Sequence, residues 1–221
     1  MTELKEKYLQ RISEIEKQIT QACEKSNRDR DEVTLVAISK TKSAEEVNAM
    51  FNAGIKNFGE NKYQELQEKS KECPKDITWH FVGNIQSNKL KKIAEHAHMI
   101  HSVDSKKQLD ILASITAPVK ILFQLSGDGN TNRGGAQEND LRQLYSYAKE
   151  IRINIDGIMI VPPADQDPRP YFLNASNLAK DLGLQTLSMG MSHDFETAIE
   201  CGSTIIRVGT ALFGTRIVKN G

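Results

Sequence analysis

Cysteine, net charge and long apolar runs are all scarce in this chain of 221 residues. Its three cysteines, Cys23, Cys73 and Cys201, are scattered and odd in number, which excludes a disulfide framework or a paired metal knuckle. No apolar stretch approaches the length of a membrane span, and the charged N-terminus lacks the apolar core of a signal peptide. These absences predict a protein of the reducing cytoplasm.

The charges balance, with 29 Lys plus Arg and 29 Asp plus Glu. A neutral chain has no dominant electrostatic attraction for nucleic acid or for an anionic membrane, so neither is an expected partner. Several catalytic signatures are also missing: a Walker loop, a dinucleotide glycine fingerprint and a Gly-x-Ser-x-Gly elbow. His96, His98 and His101 lie close in sequence, but no cysteine or carboxylate pair accompanies them, so we expect no metal site.

Apolar residues first recur at spacings of three and four, which predicts an amphipathic N-terminal helix over residues 4–22. Short β-branched runs then alternate with helical patterns. Strands are predicted at 34–38, 57–58, 78–82, 99–101, 119–125, 157–161, 185–188 and 204–208, and helices at 44–53, 61–70, 87–95, 105–114, 138–151, 170–182 and 195–201. Eight strand–helix units favour a single-domain (β/α)₈ barrel over residues 1–221, with a doubly wound open sheet as the alternative. Loops are predicted at 126–135, the most flexible segment, and at 161–170.

Lys40 stands where the first predicted strand leaves the core. A lysine at such a position commonly caps a strand end in solvent. If it is partly desolvated, it loses its proton more easily and becomes a nucleophile toward aldehydes.

The loops after the last two strands are rich in glycine and hydroxyl residues. Gly209 allows the backbone to approach an anion closely, and Ser192 and Thr210 add hydroxyl donors. Each loop alone is also explained as an ordinary turn. Together with Lys40 they indicate a phosphorylated aldehyde, and pyridoxal 5′-phosphate (PLP) carries both groups.

Arg207 ends the last strand two residues before Gly209 and should face the mouth of the barrel. Its partner could be a nearby carboxylate or the pyridine nitrogen of the cofactor. Because a guanidinium stays protonated, the second arrangement leaves the ring nitrogen unprotonated and the ring a weaker electron sink.

Several segments in this order resemble the pyridoxal-phosphate homeostasis protein family. They are LVAISKTK at 35–42, FGENKYQE at 58–65, WHFVG at 79–83, QSNK at 86–89, HSVD at 101–104, LSMGMS at 187–192, DF at 194–195 and GSTIIRVGTALFG at 202–214. The resemblance implies a barrel like the N-terminal domain of alanine racemase, with PLP held as an internal aldimine on Lys40. It further implies phosphate contacts from Ser192, Gly209 and Thr210, and Arg207 toward the ring nitrogen.

The same resemblance suggests three more residues lining the cofactor pocket. Asn61 is one, and it could also cap the helix that follows it. His80 and Met189 are the others.

The resemblance implies a PLP carrier or buffer in vitamin B6 homeostasis, without turnover of a substrate, that delivers the cofactor to apo-enzymes. The alternative is a PLP-dependent racemase or another PLP enzyme. A two-base racemase needs a second acid or base, commonly a tyrosine supplied across a dimer, and Tyr63 is the candidate here. Because the chain ends at Gly221, we expect no second domain to build that interface and hence a monomer.

Overall fold

Eight parallel strands form a closed barrel in which each strand pairs with its sequence neighbours and β1 pairs with β8. A computed structural model describes residues 2–116, 118–127 and 134–214. The strands are β1 (Thr34–Ile38), β2 (Asn57–Glu60), β3 (Thr78–Phe81), β4 (Met99–Val103), β5 (Lys120–Leu125), β6 (Gly157–Ile160), β7 (Thr186–Ser188) and β8 (Ile205–Val208). The predicted (β/α)₈ barrel is confirmed, and the open sheet is wrong because β1 and β8 are hydrogen-bonded.

The helices follow the strands as a right-handed crossover requires. They are α1 (Thr2–Lys25), α2 (Ala44–Asn52), α3 (Tyr63–Glu72), α4 (Leu90–Ala94), α5 (Lys106–Ala113), α6 (Glu138–Glu150), α7 (Arg169–Leu182), α8 (Phe195–Glu200) and α9 (Thr210–Phe213). Two short 3₁₀ segments occupy Arg30–Glu32 and Ser87–Lys89, so the helix predicted over 87–95 is divided into two parts.

The N-terminal helix α1 packs on the barrel domain, where it contacts α9. Its Tyr8 ring meets Phe213 edge-on at 5.7 Å, and Arg11 Nη1 donates to the Leu212 carbonyl over 3.1 Å. The apolar stripe of α1 is buried there, which explains its three-and-four spacing.

The core has two parts. Side chains between the sheet and the helices form the larger one. A smaller cluster, with Val36, Met99, Leu122, Met159 and Ile205, fills the inside of the barrel. The carboxyl ends of the strands then deliver Lys40, Ser192 and Gly209 to one mouth of the barrel, where such folds bind ligands.

Two local expectations need comment. Asn61 does not cap a helix, because α3 begins at Tyr63 and its N-cap is Lys62. The Asn61 backbone packs against Gly83 instead, where an added Cβ would lie 2.0 Å from the Asn61 carbonyl oxygen. Of the loop predicted at 126–135, residues 128–133 lie outside the described ranges.

Within those ranges, every helix is too short or too polar to cross a bilayer. The single-domain assignment of 1–221 and the cytoplasmic location stay predictions.

Candidate functional site

A cavity of about 200 Å³ opens at the carboxyl ends of β1, β7 and β8. Five residues singled out from the sequence line it together: Lys40, Ser192, Arg207, Gly209 and Thr210. The other lining residues, which the sequence analysis did not select, are Ile38, Thr41, Lys42, Met191, His193, Phe213 and Gly214. Folding therefore brings the predicted amine, hydroxyls and guanidinium to one place.

Lys40 is exposed, as a lysine that caps a strand end in solvent would be, so the protein alone does not desolvate its amine. The reason is that the strand ends at Ile38 and Lys40 lies in the turn beyond the rim. No described residue forms an ion pair or hydrogen bond with its ammonium group. The neighbouring Lys42, in contrast, is paired with Glu46 at 3.2 Å. Lys40 is thus the more available of the two amines at the cavity.

The loop after β7 folds back so that Ser192 reaches the start of α9. Gly190 makes this turn possible with a φ of +95°, and an added Cβ there would lie 2.6 Å from Ala198 Cβ. Ser192 Oγ accepts from the backbone N–H groups of Gly209 and Ala211 at 3.3 and 3.4 Å. The Ser192 hydroxyl oxygen therefore accepts from two backbone N–H groups at the place where the sequence predicts a bound anion.

The surrounding protein would admit a side chain in place of Gly209. Its φ is −114°, and an added Cβ would meet Ile38 at 3.4 Å, which is an ordinary van der Waals contact. Gly209 lines the cavity, and without a side chain its backbone is accessible from there. A ligand that approaches the backbone at Gly209 fits this arrangement.

Arg207 is a buried cation without a carboxylate. It is 5% exposed; Nη1 donates to Ser188 Oγ at 2.7 Å and Nη2 donates to the Ile160 carbonyl at 3.0 Å. No carboxylate in the described residues lies within ion-pair distance, so the alternative of a carboxylate partner is wrong. Burial lowers the pKa of Arg207 from 12.5 to about 10, despite the opposing field of Asp194.

A chain of buried polar side chains leads from Arg207 through the inside of the barrel. Ser188 Oγ lies 2.8 Å from His101 Nδ1, and His101 Nε2 lies 2.9 Å from His80 Nδ1. His80 Nε2 then lies 3.2 Å from Asn57 Oδ1. His80 and Asn57 also line a second cavity of about 640 Å³ that opens at the amino ends of the strands.

The donor chemistry of Arg207 sets the proton positions along this chain. A guanidinium only donates, so Ser188 Oγ accepts from it and gives its own proton to His101 Nδ1. His101 then carries its proton on Nε2 and donates to His80, which does the same toward Asn57. Both rings are neutral in this arrangement. Burial favours that state, since it lowers the pKa of His80 to about 3 and that of His101 well below its usual value.

The buried imidazoles make folding stability pH-dependent. Their pKa is lower in the folded than in the unfolded chain, so the unfolded chain binds more protons and stability falls as pH decreases below about 6.5. For His80 this effect should cost about 1.4 kcal/mol between pH 7.5 and 5.5, and His101 acts in the same direction. In urea unfolding, the free energy of unfolding of His80→Gln should fall by about 1.4 kcal/mol less than that of the wild type between pH 7.5 and 5.5. Exposed His193→Gln is the control, and a wild-type pH dependence in His80→Gln would contradict the argument.

Three residues that the resemblance placed at the pocket do not line this cavity. His80 faces the interior at the opposite, amino end of the barrel. Met189 is fully buried in the layer between sheet and helices. Asn61 follows β2 at the same end as Lys40, but is not among the lining residues. Strand number and position alone could not separate these cases, because they do not give the depth of a side chain along the barrel.

The candidate second base of a racemase is also elsewhere. Tyr63 is buried, with its ring 6.4 Å from the His96 ring, and no tyrosine of the described residues lines the cavity. His193 does line it, with a largely exposed ring whose Nε2 lies 3.5 Å from Asp194 Oδ2. Together with Lys42, it is a titratable side chain at the cavity besides Lys40.

The histidines that are close in sequence separate in space. His96 Nδ1 bonds Ser70 Oγ, His98 Nδ1 accepts from the Trp79 N–H, and His101 lies inside the barrel. The part of the chain that the structure describes contains no cluster of three metal-ligating side chains.

Comparison with known proteins places these features in context. A model of the alanine racemase N-terminal domain matches residues 11–217. A pyridoxal phosphate homeostasis protein of Aquifex aeolicus is 36% identical, with 94% of this chain and 97% of that protein covered. One of Pseudomonas aeruginosa is 38% identical, with 93% and 94% covered.

Solved structures show the same barrel. PipY of Synechococcus elongatus with PLP bound superimposes with a TM-score of 0.81 at 32% identity, covering 94% of this chain and all (100%) of PipY. Alanine racemase of Corynebacterium glutamicum shares only the fold, with a TM-score of 0.70 at 17% identity over 96% of this chain and 62% of the enzyme.

Proposed function

The chain belongs to the pyridoxal phosphate homeostasis protein family, and on that basis we propose that it binds PLP in the cavity at the carboxyl end of its barrel and buffers or delivers it. The observation that carries this proposal is the convergence of an available amine, Lys40, with Arg207 and the Ser192–Gly209 turn around one cavity. PLP supplies an electrophilic aldehyde, an anionic phosphate and a pyridine nitrogen, and each has a counterpart there.

Lys40 is proposed as the point of covalent attachment. Its unprotonated amine adds to the aldehyde carbon, a C=N bond forms, and the aldehyde oxygen leaves as water with the two amine protons. The absence of an ion-pair partner among the described residues leaves the amine free to reach the cavity, whereas Lys42 would have to leave Glu46.

The phosphate is proposed to bind at the turn between β8 and α9. Ser192 Oγ already receives the N–H groups of Gly209 and Ala211 at long distances, so a phosphate oxygen would compete for weakly held donors. Thr210 adds a hydroxyl, and Gly209 has no side chain to keep the group from its backbone. The fit supports an anion of phosphate size.

Arg207 is proposed to face the pyridine nitrogen. Two of its five N–H bonds are used by Ser188 and Ile160, which leaves three without an acceptor among the described residues. A permanent donor keeps the ring nitrogen unprotonated, so the ring would poorly support a carbanion. This property favours a carrier over an amino-acid racemase or another PLP enzyme.

Absorbance spectroscopy tests the binding itself. The purified protein is incubated with PLP, dialysed, and measured before and after borohydride reduction. We expect visible absorbance that survives dialysis and disappears on reduction, with one pyridoxyl group per chain by mass. A protein that stays colourless after incubation would contradict the proposal.

A second measurement separates a carrier from an enzyme. The PLP-loaded protein is incubated with amino acids in D₂O and, separately, with an apo PLP-dependent enzyme. A carrier should restore activity to the apo-enzyme and leave the α-proton of the amino acids unexchanged. Exchange at a catalytic rate that is lost in His193→Gln would instead support a racemase-like activity.

A further inference from the structure

A buried ionic cluster holds the backbone on both sides of Lys40. Lys69 Nζ, from α3, donates to the Ser39 carbonyl at 2.8 Å, to Glu60 Oε1 at 2.7 Å and to Glu65 Oε2 at 3.1 Å. Its three N–H bonds are thereby all used. The side chains of Lys69 and Glu60 are 7% and 0% exposed, so this is an ammonium and a carboxyl group enclosed by the protein.

The cluster acts on the two residues that flank Lys40. Ser39 is fixed three times, because its hydroxyl donates to Glu60 Oε1 at 2.6 Å, its carbonyl accepts from Lys69, and its N–H donates to Gly59. On the other side, the N–H of Thr41 donates to Glu65 Oε2 at 2.6 Å. Lys40 itself is exposed, and the cluster bonds its two neighbours, Ser39 and Thr41.

The Thr41 backbone is held in a conformation that threonine disfavours. Its φ is +66°, a left-handed conformation that a β-branched residue rarely adopts. Such strain persists only where the surroundings impose it, and it is concentrated at functional sites. Two contacts hold the Thr41 backbone in this conformation: its N–H donates to Glu65 Oε2 at 2.6 Å, and the Lys42 N–H closes the turn by donating to the Ser39 carbonyl at 3.0 Å.

The enclosure of these charges shifts the pKa values of both carboxyl groups of the cluster. Burial raises the pKa of Glu60, with Lys69 acting in the opposite direction, and Glu60 Oε2 is buried with no hydrogen-bond partner among the described residues. Burial alone would raise the pKa of Glu65 too, but the Thr41 N–H and Lys69 hold it below its usual value.

We infer that Lys69, Glu60 and Glu65 are positioning residues that aim the Lys40 amine into the cavity by clamping Ser39 and Thr41. The inference rests on the proposed function, since it concerns the capture of PLP by Lys40. None of the three lines the cavity, so they act through the backbone of the Lys40 turn and not on the cofactor.

The rate of PLP capture tests the clamp. We expect Glu65→Gln to slow the appearance of the borohydride-trapped adduct about tenfold, because misplacing a reacting group is costly even when it stays in the site. The loosened turn should also move part of the adduct to Lys42, which peptide mass spectrometry detects. Lys69→Met should act in the same direction, but it leaves Glu60 buried without its cation and so endangers folding. Glu65→Gln is therefore the decisive variant.

Two further variants make the result specific. Glu138→Gln, which removes a matched i,i+4 partner from Arg142 on α6, should capture PLP at the wild-type rate. Thr41→Asn combined with Glu65→Gln should recover part of the rate, because asparagine tolerates positive φ better than threonine. A wild-type rate and wholly Lys40-linked adduct in Glu65→Gln would overturn the inference. Failure of the wild-type protein to form an adduct at Lys40 would instead overturn the proposed function.

Discussion

Lys40→Ala should abolish the covalent adduct with PLP. Lys40 is the amine at the cavity with no ionic partner among the described residues, and Lys42 is held by Glu46. After incubation with PLP, borohydride reduction and digestion, the wild-type protein should carry the pyridoxyl group on the peptide containing residue 40. The variant should carry less than about a tenth of that label, because no other amine of the described residues combines reach to the cavity with freedom from an ionic partner.

The controls for this experiment are two other lysines. Lys56→Ala removes an exposed lysine that lies before β2, at the far end of the barrel, and should keep full labelling. Lys42→Ala tests the neighbouring amine directly and should also retain the adduct on Lys40. Full labelling of Lys40→Ala at a single other lysine would move the site to that residue.

Arg207→Gln should weaken PLP binding and at the same time stabilise the cofactor-free protein. The lost interaction is a hydrogen bond from a charged group, worth about 1.5–3 kcal/mol, so the dissociation constant should rise about tenfold to a hundredfold. Burial lowers the pKa of Arg207 from 12.5 to about 10, which corresponds to a penalty of about 3 kcal/mol for keeping the guanidinium charged at neutral pH. Glutamine carries no such penalty.

Equilibrium dialysis and urea unfolding measure the two halves of this prediction. Arg207→Lys is the matched variant, because it keeps a positive charge and loses the planar fork that reaches both Ser188 and Ile160. It should bind PLP more weakly than wild type without the gain in stability. Unchanged affinity in Arg207→Gln would remove Arg207 from the cofactor site, and a less stable protein would show that its role is structural.

If Arg207→Gln binds PLP more weakly but is more stable, then Arg207 serves binding at a cost in folding stability. A lone buried cation is unfavourable for folding unless something compensates it, and the described residues provide only a hydroxyl and a carbonyl. The compensation would then come from the ligand. The neutral state of His80 and His101 fits this view, since it adds no second positive charge inside the barrel.

The strand and helix pattern was readable in the sequence because each element carries its own periodicity. β1 was predicted residue for residue, five strands (β3, β5, β6, β7 and β8) differ by one residue at an end, and β2 and β4 continue two residues further than predicted. The largest departures are local: a 3₁₀ segment opens the helix predicted at 87–95, and α3 begins two residues after Asn61. Those boundaries depend on which backbone groups find partners, which periodicity does not express.

The sequence by itself determined the alternation of strands and helices and the set of residues that could bind a phosphorylated aldehyde, because the carboxyl ends of parallel strands lie on one side of the sheet whether or not it closes. Closure of the barrel through the pairing of β1 with β8 was decided by the tertiary structure. Only the tertiary structure decided that Lys40 is exposed, that His80 and Met189 face away from the cavity, and that Arg207 lacks a carboxylate. It also revealed the Glu60–Lys69–Glu65 clamp. Of its contacts, the i,i+4 spacing of Glu65 and Lys69 is visible in the sequence, whereas their bonds to Ser39 and Thr41 join residues 24 to 30 positions apart. Such bonds exist only after the chain has closed, so no local pattern can encode them.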